Sequence, residues 1–203
     1  MPYWFYIALG YLSGSVLYSY YLPLWLKGLD VTEGAPDGNP GAFNCIHKAG
    51  WPMGLAALAC DVLKGAIPVF LAARALGMHR WTFALVVAAP VAGHAWSVFR
   101  RFQGGKAIAV SFGVTLGLWP VWRPFVVLAA CYLFFSLVVR LEPHRFRSVV
   151  TYVCFGAASL IWLGAGGVGL GCLLTAAIVV SRHHRPEPEE EQPTVRFALR
   201  KQE

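Results

Sequence analysis

The chain has 203 residues, of which 57% are hydrophobic and only 13% charged, with a formal net charge of +7. Soluble domains carry about a quarter charged residues, so this composition excludes an ordinary soluble domain. The size suits one domain. The positive charge flanks apolar runs, which argues for lipid headgroups and membrane topology rather than nucleic acid.

A membrane-crossing helix needs about 20 mostly apolar residues. Seven segments approach or meet this length, at about 3–26, 51–73, 82–99, 107–121, 122–140, 148–163 and 165–181. The first has no basic leader and no small-residue cleavage site, so it is read as a retained span. Pro120, Pro124 and the glycines at 164, 166 and 167 mark tight connections between neighbours. With the N-terminus outside, the cytoplasmic segments carry 13 basic residues and the outer connections 3. That asymmetry predicts an all-α integral membrane protein: a seven-helix bundle, N-terminus outside and C-terminus cytoplasmic. Residues 1–181 form the transmembrane domain, and 182–203 a cytoplasmic tail. The tail is rich in proline and glutamate from Pro186 to Pro193 and is expected to be disordered.

The five cysteines, at 45, 60, 131, 154 and 172, form neither CxxC pairs nor Cys/His clusters. They read as small hydrophobes, with no metal site. Asp61 and Lys64 lie within an apolar segment one helical turn apart. They form either a mutual ion pair or a device that orients polar loops at the bundle mouth.

Four cytoplasmic stretches carry candidate chemistry. Gly38-Asn39-Pro40-Gly41-Ala42-Phe43-Asn44 is either an ordinary turn before a helix or an anion-binding nest. Arg100 to Lys106, with Gly104 and Gly105, is either a positive-inside loop or a phosphate site at a helix start. His94 sits near the inner end of the third span, as a hydrogen-bond partner or a functional group. The third loop offers Arg145, Arg147, Ser148 and Thr151, and the last offers Arg182, His183, His184 and Arg185. Cationic loops converging on one mouth point to an anionic substrate.

In order and spacing these motifs resemble the bacterial acyl-phosphate:glycerol-3-phosphate acyltransferase family, often called PlsY, over residues 11–185. Gly38–Asn44 is similar to its Gly-Asn-x-Gly-Ala-Thr-Asn. Asp61-Val62-Leu63-Lys64-Gly65 is similar to its Asp-x-x-Lys-Gly. Gly93-His94 with Phe102–Lys106 is similar to its Gly-His…Phe-Lys-Gly-Gly-Lys-Gly. Arg145-Phe146-Arg147-Ser148 is similar to its Arg-Tyr-Val-Ser. The resemblance implies a cytoplasmic-side site in the inner membrane of a bacterial cell, with many crossings. It implies acyl transfer from acyl phosphate to glycerol 3-phosphate, giving lysophosphatidate for phospholipid synthesis, without a cofactor. It makes Lys106, Ser148, His184 and His94 catalytic. Gly38, Asn39, Gly41, Asn44, His47, Gly104, Gly105 and His183 would bind substrate. The partners implied are the two substrates, membrane lipids and the soluble enzyme that makes acyl phosphate.

The chain departs from the pattern in places. Asp37 stands where the family has serine, Phe43 for threonine, His47 for arginine, Gln103 for lysine, Ala107 for glycine and Pro186 for asparagine. A carboxylate at Asp37 is expected to repel phosphorylated substrates. Two alternatives stay open: a divergent acyltransferase with another acceptor, and a non-catalytic lipid-associated relative. A transporter ranks last, since no inverted repeat is visible.

Overall fold

The structure, a computed structural model, describes residues 2–183 and 193–197, without the side chains of Arg196 and Phe197. Nine α-helices occur among the described residues: α1 Tyr3–Ser15, α2 Tyr18–Lys27, α3 Ala42–Ala49, α4 Trp51–Ala75, α5 Phe83–Ala95, α6 Ile108–Gly117, α7 Arg123–Leu133, α8 His144–Leu163 and α9 Gly167–Arg182. A 3-10 turn, Val98–Arg100, extends α5, and a π-helical segment, Phe134–Val138, ends α7. Two short strands, β1 Val139–Glu142 and β2 Thr194–Phe197, pair antiparallel, with Val139 opposite Phe197 and Glu142 opposite Thr194.

Three of the apolar segments, Trp51–Ala75, Phe83–Arg100 and His144–Leu163, are long and apolar enough to cross a membrane as single helices. Segments 108–117, 123–138 and 167–182 are apolar but shorter. Large apolar side chains face outward around the bundle, with Trp4, Trp25, Ile67, Trp81 and Ile161 each more than half exposed. In water such a perimeter would be an aggregation hazard, whereas against lipid it is the solvated face. The interior gathers α4 to α9 around Val69, Phe83, Val87, Val110, Leu128, Tyr152, Phe155 and Cys172.

Small residues let these helices approach closely, as association in lipid requires. A Cβ on Gly113 would meet the Val62 carbonyl of α4, and one on Gly14 would meet the Pro90 carbonyl of α5. The most extensive helix pairings are accordingly α4 with α6 and α1 with α5.

The elements differ from the sequence expectation where the apolar pattern is blind to the backbone. The first expected span, 3–26, is two helices broken at Val16–Leu17. Broken helix ends inside a bilayer need polar partners, because no water reaches them. Here α4 supplies them. The Asp61 carboxylate accepts from the Tyr18 and Ser19 amides at 3.3 Å and from Ser19 Oγ at 2.5 Å. Lys64 Nζ donates to the Val16 carbonyl at 2.6 Å and pairs with Asp61 at 2.7 Å. Of the two readings left open for these residues, the mutual ion pair is present, and the same side chains also cap both sides of the break.

The expected fifth span, 122–140, stops short. Its last turn is π-helical and runs into β1, whose partner strand comes from the tail that was expected to lack structure. The sixth helix starts at His144 rather than 148, so Arg145 and Arg147 belong to its first turn and not to a loop.

Candidate active site

The site is assembled from four chain segments at one end of the bundle. The first is the stretch that leads into α3. Asp37 Oδ1 accepts from the Asn39 amide at 3.1 Å and from Asn44 Nδ2 at 3.0 Å, and Asn44 Nδ2 also reaches the Asn39 carbonyl at 2.8 Å. Gly38 takes a left-handed φ of 53° to make this turn. The short polar side chains thus fold the motif on itself and hold Asp37 and Asn39 toward the bundle.

The second segment is the loop between α5 and α6. Its backbone is unusual: Arg101, Phe102 and Ala107 have φ of 52°, 61° and 63°. Such conformations disfavour residues with a Cβ and tend to gather at functional sites. Gly104 and Gly105 lie flat on the end of α5. A Cβ on Gly104 would meet the Ala95 carbonyl oxygen at 2.5 Å, and one on Gly105 would meet His94 Nε2 at 2.6 Å. The Gly105 amide donates to the His94 carbonyl at 3.0 Å.

The two segments are joined. The Lys106 amide donates to Asn39 Oδ1 at 3.2 Å, and Lys106 Nζ pairs with Asp37 Oδ2 at 2.8 Å. Partial burial pushes the Asp37 carboxyl up. The hydrogen bonds from Lys106, Asn44 and the Asn39 amide, together with the Lys106 charge, outweigh burial and hold it below the usual carboxylate range. Asp37 is therefore ionised at neutral pH.

The ends of α8 and α9 supply the remaining cations. Arg182 donates from Nη2 to the Gly104 carbonyl at 3.0 Å and from Nε to the Gly105 carbonyl at 3.3 Å, which orients the glycine loop. Arg145 Nε donates to the His183 carbonyl at 2.5 Å. His183 Nδ1 lies 2.8 Å from the Val179 carbonyl, which places a proton on that nitrogen. His144 contacts Tyr132 Oη through Nε2 at 3.2 Å and Ser148 Oγ through Nδ1 at 3.5 Å.

Two cavities meet here. The larger, of about 830 Å³, is lined by apolar Leu58, Val62, Ile108 and Phe112 and also by Asp37, Asp61, His94, Lys106, Tyr132, His144, Arg145 and Arg147. The smaller, of about 520 Å³, is lined by Arg100, Gly104, Gly105, Lys106, Arg145, Arg182 and His183. Asp37, Asn39, Lys106 and Arg145 border both. An apolar space thus opens onto a cationic one across a shared wall.

The structure gathers most of the residues expected from sequence. Asn39, Gly41, Asn44, His94 and Lys106 line the larger cavity, and Gly38, Asn39, Gly104, Gly105, Lys106 and His183 the smaller. Two expected residues among the described ones line neither, and a third lies outside them. His47 is exposed and packs its ring on Phe43, one turn earlier on the outer face of α3. Ser148 is fully buried beneath the first turn of α8, with His144 between it and the cavity. His184 lies outside the described residues.

Sequence reasoning did not single out His144 or Tyr132. Tyr132 lay in a segment read only as a span, and His144 in a loop read for its arginines. Asp37 was read as a repelling charge, whereas it is the partner of Lys106. Among the described residues, no three His, Cys, Asp or Glu side chains gather where they could hold a metal ion.

Comparisons with known proteins agree with this architecture. Residues 4–189 match the family model described as glycerol-3-phosphate acyltransferase. The glycerol-3-phosphate acyltransferase of Myxococcus xanthus is 42% identical over 85% of this chain and 88% of its own length. That of Synechococcus sp. (strain CC9902) is 34% identical over 90% of this chain and 88% of its own. Glycerol-3-phosphate acyltransferase 4 of Dehalococcoides mccartyi (strain CBDB1) is 40% identical over 70% of this chain, and the match spans 60% of that relative's length. Two crystal structures of PlsY, described as an integral membrane glycerol 3-phosphate acyltransferase, are similar in fold. The lysophosphatidic acid form has a TM-score of 0.74 and 26% identity, covering 90% of this chain and 88% of that one. The glycerol 3-phosphate form has a TM-score of 0.73 and 27% identity, covering 89% and 88%. The chain is thus a multi-pass membrane protein and belongs to the glycerol-3-phosphate acyltransferase family, the membrane acyltransferases of phospholipid synthesis.

Proposed function

We propose that this chain transfers a fatty acyl group from acyl phosphate to a hydroxyl of glycerol 3-phosphate, giving lysophosphatidate and inorganic phosphate. The observation that carries this reading is the pair of adjoining cavities, one apolar and one cationic, with Lys106 in their shared wall. A long acyl chain fits the space between Leu58, Val62, Phe112 and Tyr132. Arg100, Arg145, Arg182 and Lys106 offer donors for the acceptor's phosphate, as charge-assisted bonds require. The PlsY crystal structures, in glycerol 3-phosphate and lysophosphatidic acid forms, support this assignment of substrate and product.

The mixed anhydride is already activated, so the protein's task is positioning and charge stabilisation. At the shared wall the acceptor hydroxyl attacks the acyl carbonyl carbon. The carbon–oxygen bond to phosphate then breaks, and the hydroxyl proton leaves with the phosphate. Lys106 stabilises negative charge on the departing phosphate, with Asp37 and the Asn39 side chain holding it in place. Ser148 acts through His144 by fixing its ring, and His94 closes the deep end of the larger cavity.

In the membrane we place the N-terminus outside and the C-terminus in the cytoplasm, with seven crossings of the bacterial inner membrane. The distribution of basic residues supports this orientation, and it puts the cationic cavity on the side where water-soluble glycerol 3-phosphate is found. The test is a purified sample in lipid given palmitoyl phosphate. Consumption stimulated by glycerol 3-phosphate, with lysophosphatidate formed, is expected. Consumption that ignores glycerol 3-phosphate would point to another acceptor, and no consumption by folded protein would reject the enzyme reading.

A further inference from the structure

We propose that Arg147 helps Lys106 hold the phosphoryl group of the acyl donor within the larger cavity, because Asp37 takes up part of the Lys106 ammonium. This rests on the acyl-phosphate reading above, in which two phosphates occupy one site at once. The smaller cavity has Arg100, Arg145, Arg182 and Lys106 for one of them. In the larger cavity the cations are Lys106, Arg145 and Arg147. Lys106 Nζ is engaged by Asp37 at 2.8 Å, and Arg145 Nε is engaged by the His183 carbonyl at 2.5 Å. Arg147 lines the larger cavity but not the smaller, and its Nε is buried with no acceptor among the described residues. A buried guanidinium N–H without an acceptor is costly. An anion in the cavity removes that cost.

Two further features point the same way. The first turn of α8 holds His144, Arg145 and Arg147 and no acidic residue. Cations at a helix N-terminus oppose the helix dipole, and a bound anion reverses the balance. The same cavity is lined by His94, which is 4% exposed and whose Nδ1 has no partner among the described residues. The cavity thus has more than one polar group that a bound phosphoryl could satisfy. The family pattern has valine at Arg147 and serine at Asp37, so this chain carries one added charge of each sign at the site. With Lys106 shared with the added carboxylate, the added arginine supplies a second cation to the donor's phosphate.

The experiment is a double-substitution cycle of Arg147→Val and Asp37→Ser, in lipid, with KM measured separately for palmitoyl phosphate and glycerol 3-phosphate. Arg147→Val is expected to raise KM for palmitoyl phosphate about tenfold or more, the size of a lost charged hydrogen bond. KM for glycerol 3-phosphate stays within about twofold of wild type on the same ground. Arg147→Lys recovers part of the loss. In the Asp37→Ser background, where Lys106 is released, the penalty of Arg147→Val shrinks. An active Arg147→Val protein with unchanged KM for palmitoyl phosphate, or with the rise on glycerol 3-phosphate instead, overturns the assignment. Should Arg147→Val not fold, Arg147→Gln decides by the same two constants. A folded wild type that makes no lysophosphatidate overturns the functional reading itself, a distinct outcome from either.

Discussion

The molecule holds two aspartate–lysine pairs that look alike on paper and do opposite work. Asp61 and Lys64 are one turn apart on α4, with side chains 2% exposed. Asp37 and Lys106 are 69 residues apart on two loops, with side chains about a fifth exposed. In the first pair, each charge also has a backbone partner at the break between α1 and α2. The pair satisfies backbone groups on both sides of that break. In the second, the ammonium borders two cavities and can exchange its partner for a substrate oxygen. Near-complete burial with backbone partners on both sides of a helix break marks a structural pair, whereas partial exposure with the ammonium bordering two cavities marks a working one.

The largest expected effect comes from breaking the buried pair. Asp61→Asn or Lys64→Met should cost about 3–5 kcal/mol of stability, because the remaining charge is left uncompensated. Removing both should not restore wild-type stability, since the Tyr18 and Ser19 amides and the Val16 carbonyl lose their partners as well. Thermal unfolding in detergent measures this, and a fully stable double variant would break the comparison.

Lys106→Ala should behave in the opposite way. Its expected loss is about 10²–10³-fold in kcat, as for removal of a charge-stabilising donor, with little change in unfolding temperature. A large stability loss without a rate loss would make the two pairs alike.

The loop around Lys106 also stores backbone strain that α4 does not. Ala107 has φ of 63° at the start of α6. Ala107→Gly should raise stability by about 1 kcal/mol, by relieving the left-handed Cβ contact. The unfolding midpoint reads this out.

The smallest effect concerns Asp37. A partly exposed pair contributes about 0.5–1 kcal/mol at most. Because the folded-state carboxyl lies below its unfolded value, that contribution is present above the unfolded pKa of about 3.9. It is lost as pH falls through the lower folded value. The stability difference between wild type and Asp37→Asn should therefore be flat from pH 5 to 8 and vanish only below about pH 4. A difference that changes near pH 6 would mean that another group governs the pair.

Much of this was legible in the sequence, for reasons that are local. Apolar runs and basic flanks mark helices and their ends, and Gly38–Asn44 and Gly104–Lys106 carry their turn chemistry within a few residues. What escaped was non-local. The run from Tyr3 to Leu26 carries no charged residue, and its small polar residues Ser13, Ser15 and Ser19 do not announce a break that Asp61 and Lys64 cap from another helix. Asp37 read as a hostile charge because its ammonium partner lies far along the chain. Ser148 and His47 carried family positions, yet helix phase turns one under His144 and the other onto Phe43. The strands Val139–Glu142 and Thr194–Phe197 alternate apolar and polar residues over only four positions each, too short a pattern to announce a pairing across more than 50 residues of chain.

The most direct test of the two-pair account is the rate of lysophosphatidate formation from palmitoyl phosphate and glycerol 3-phosphate, for wild type and Lys106→Ala in the same lipid. Product from the wild type alone, with both proteins folded to equal unfolding temperature, is the expected result. Equal rates, or no product from a well-folded wild type, would contradict the placement of Lys106 at the centre of the chemistry.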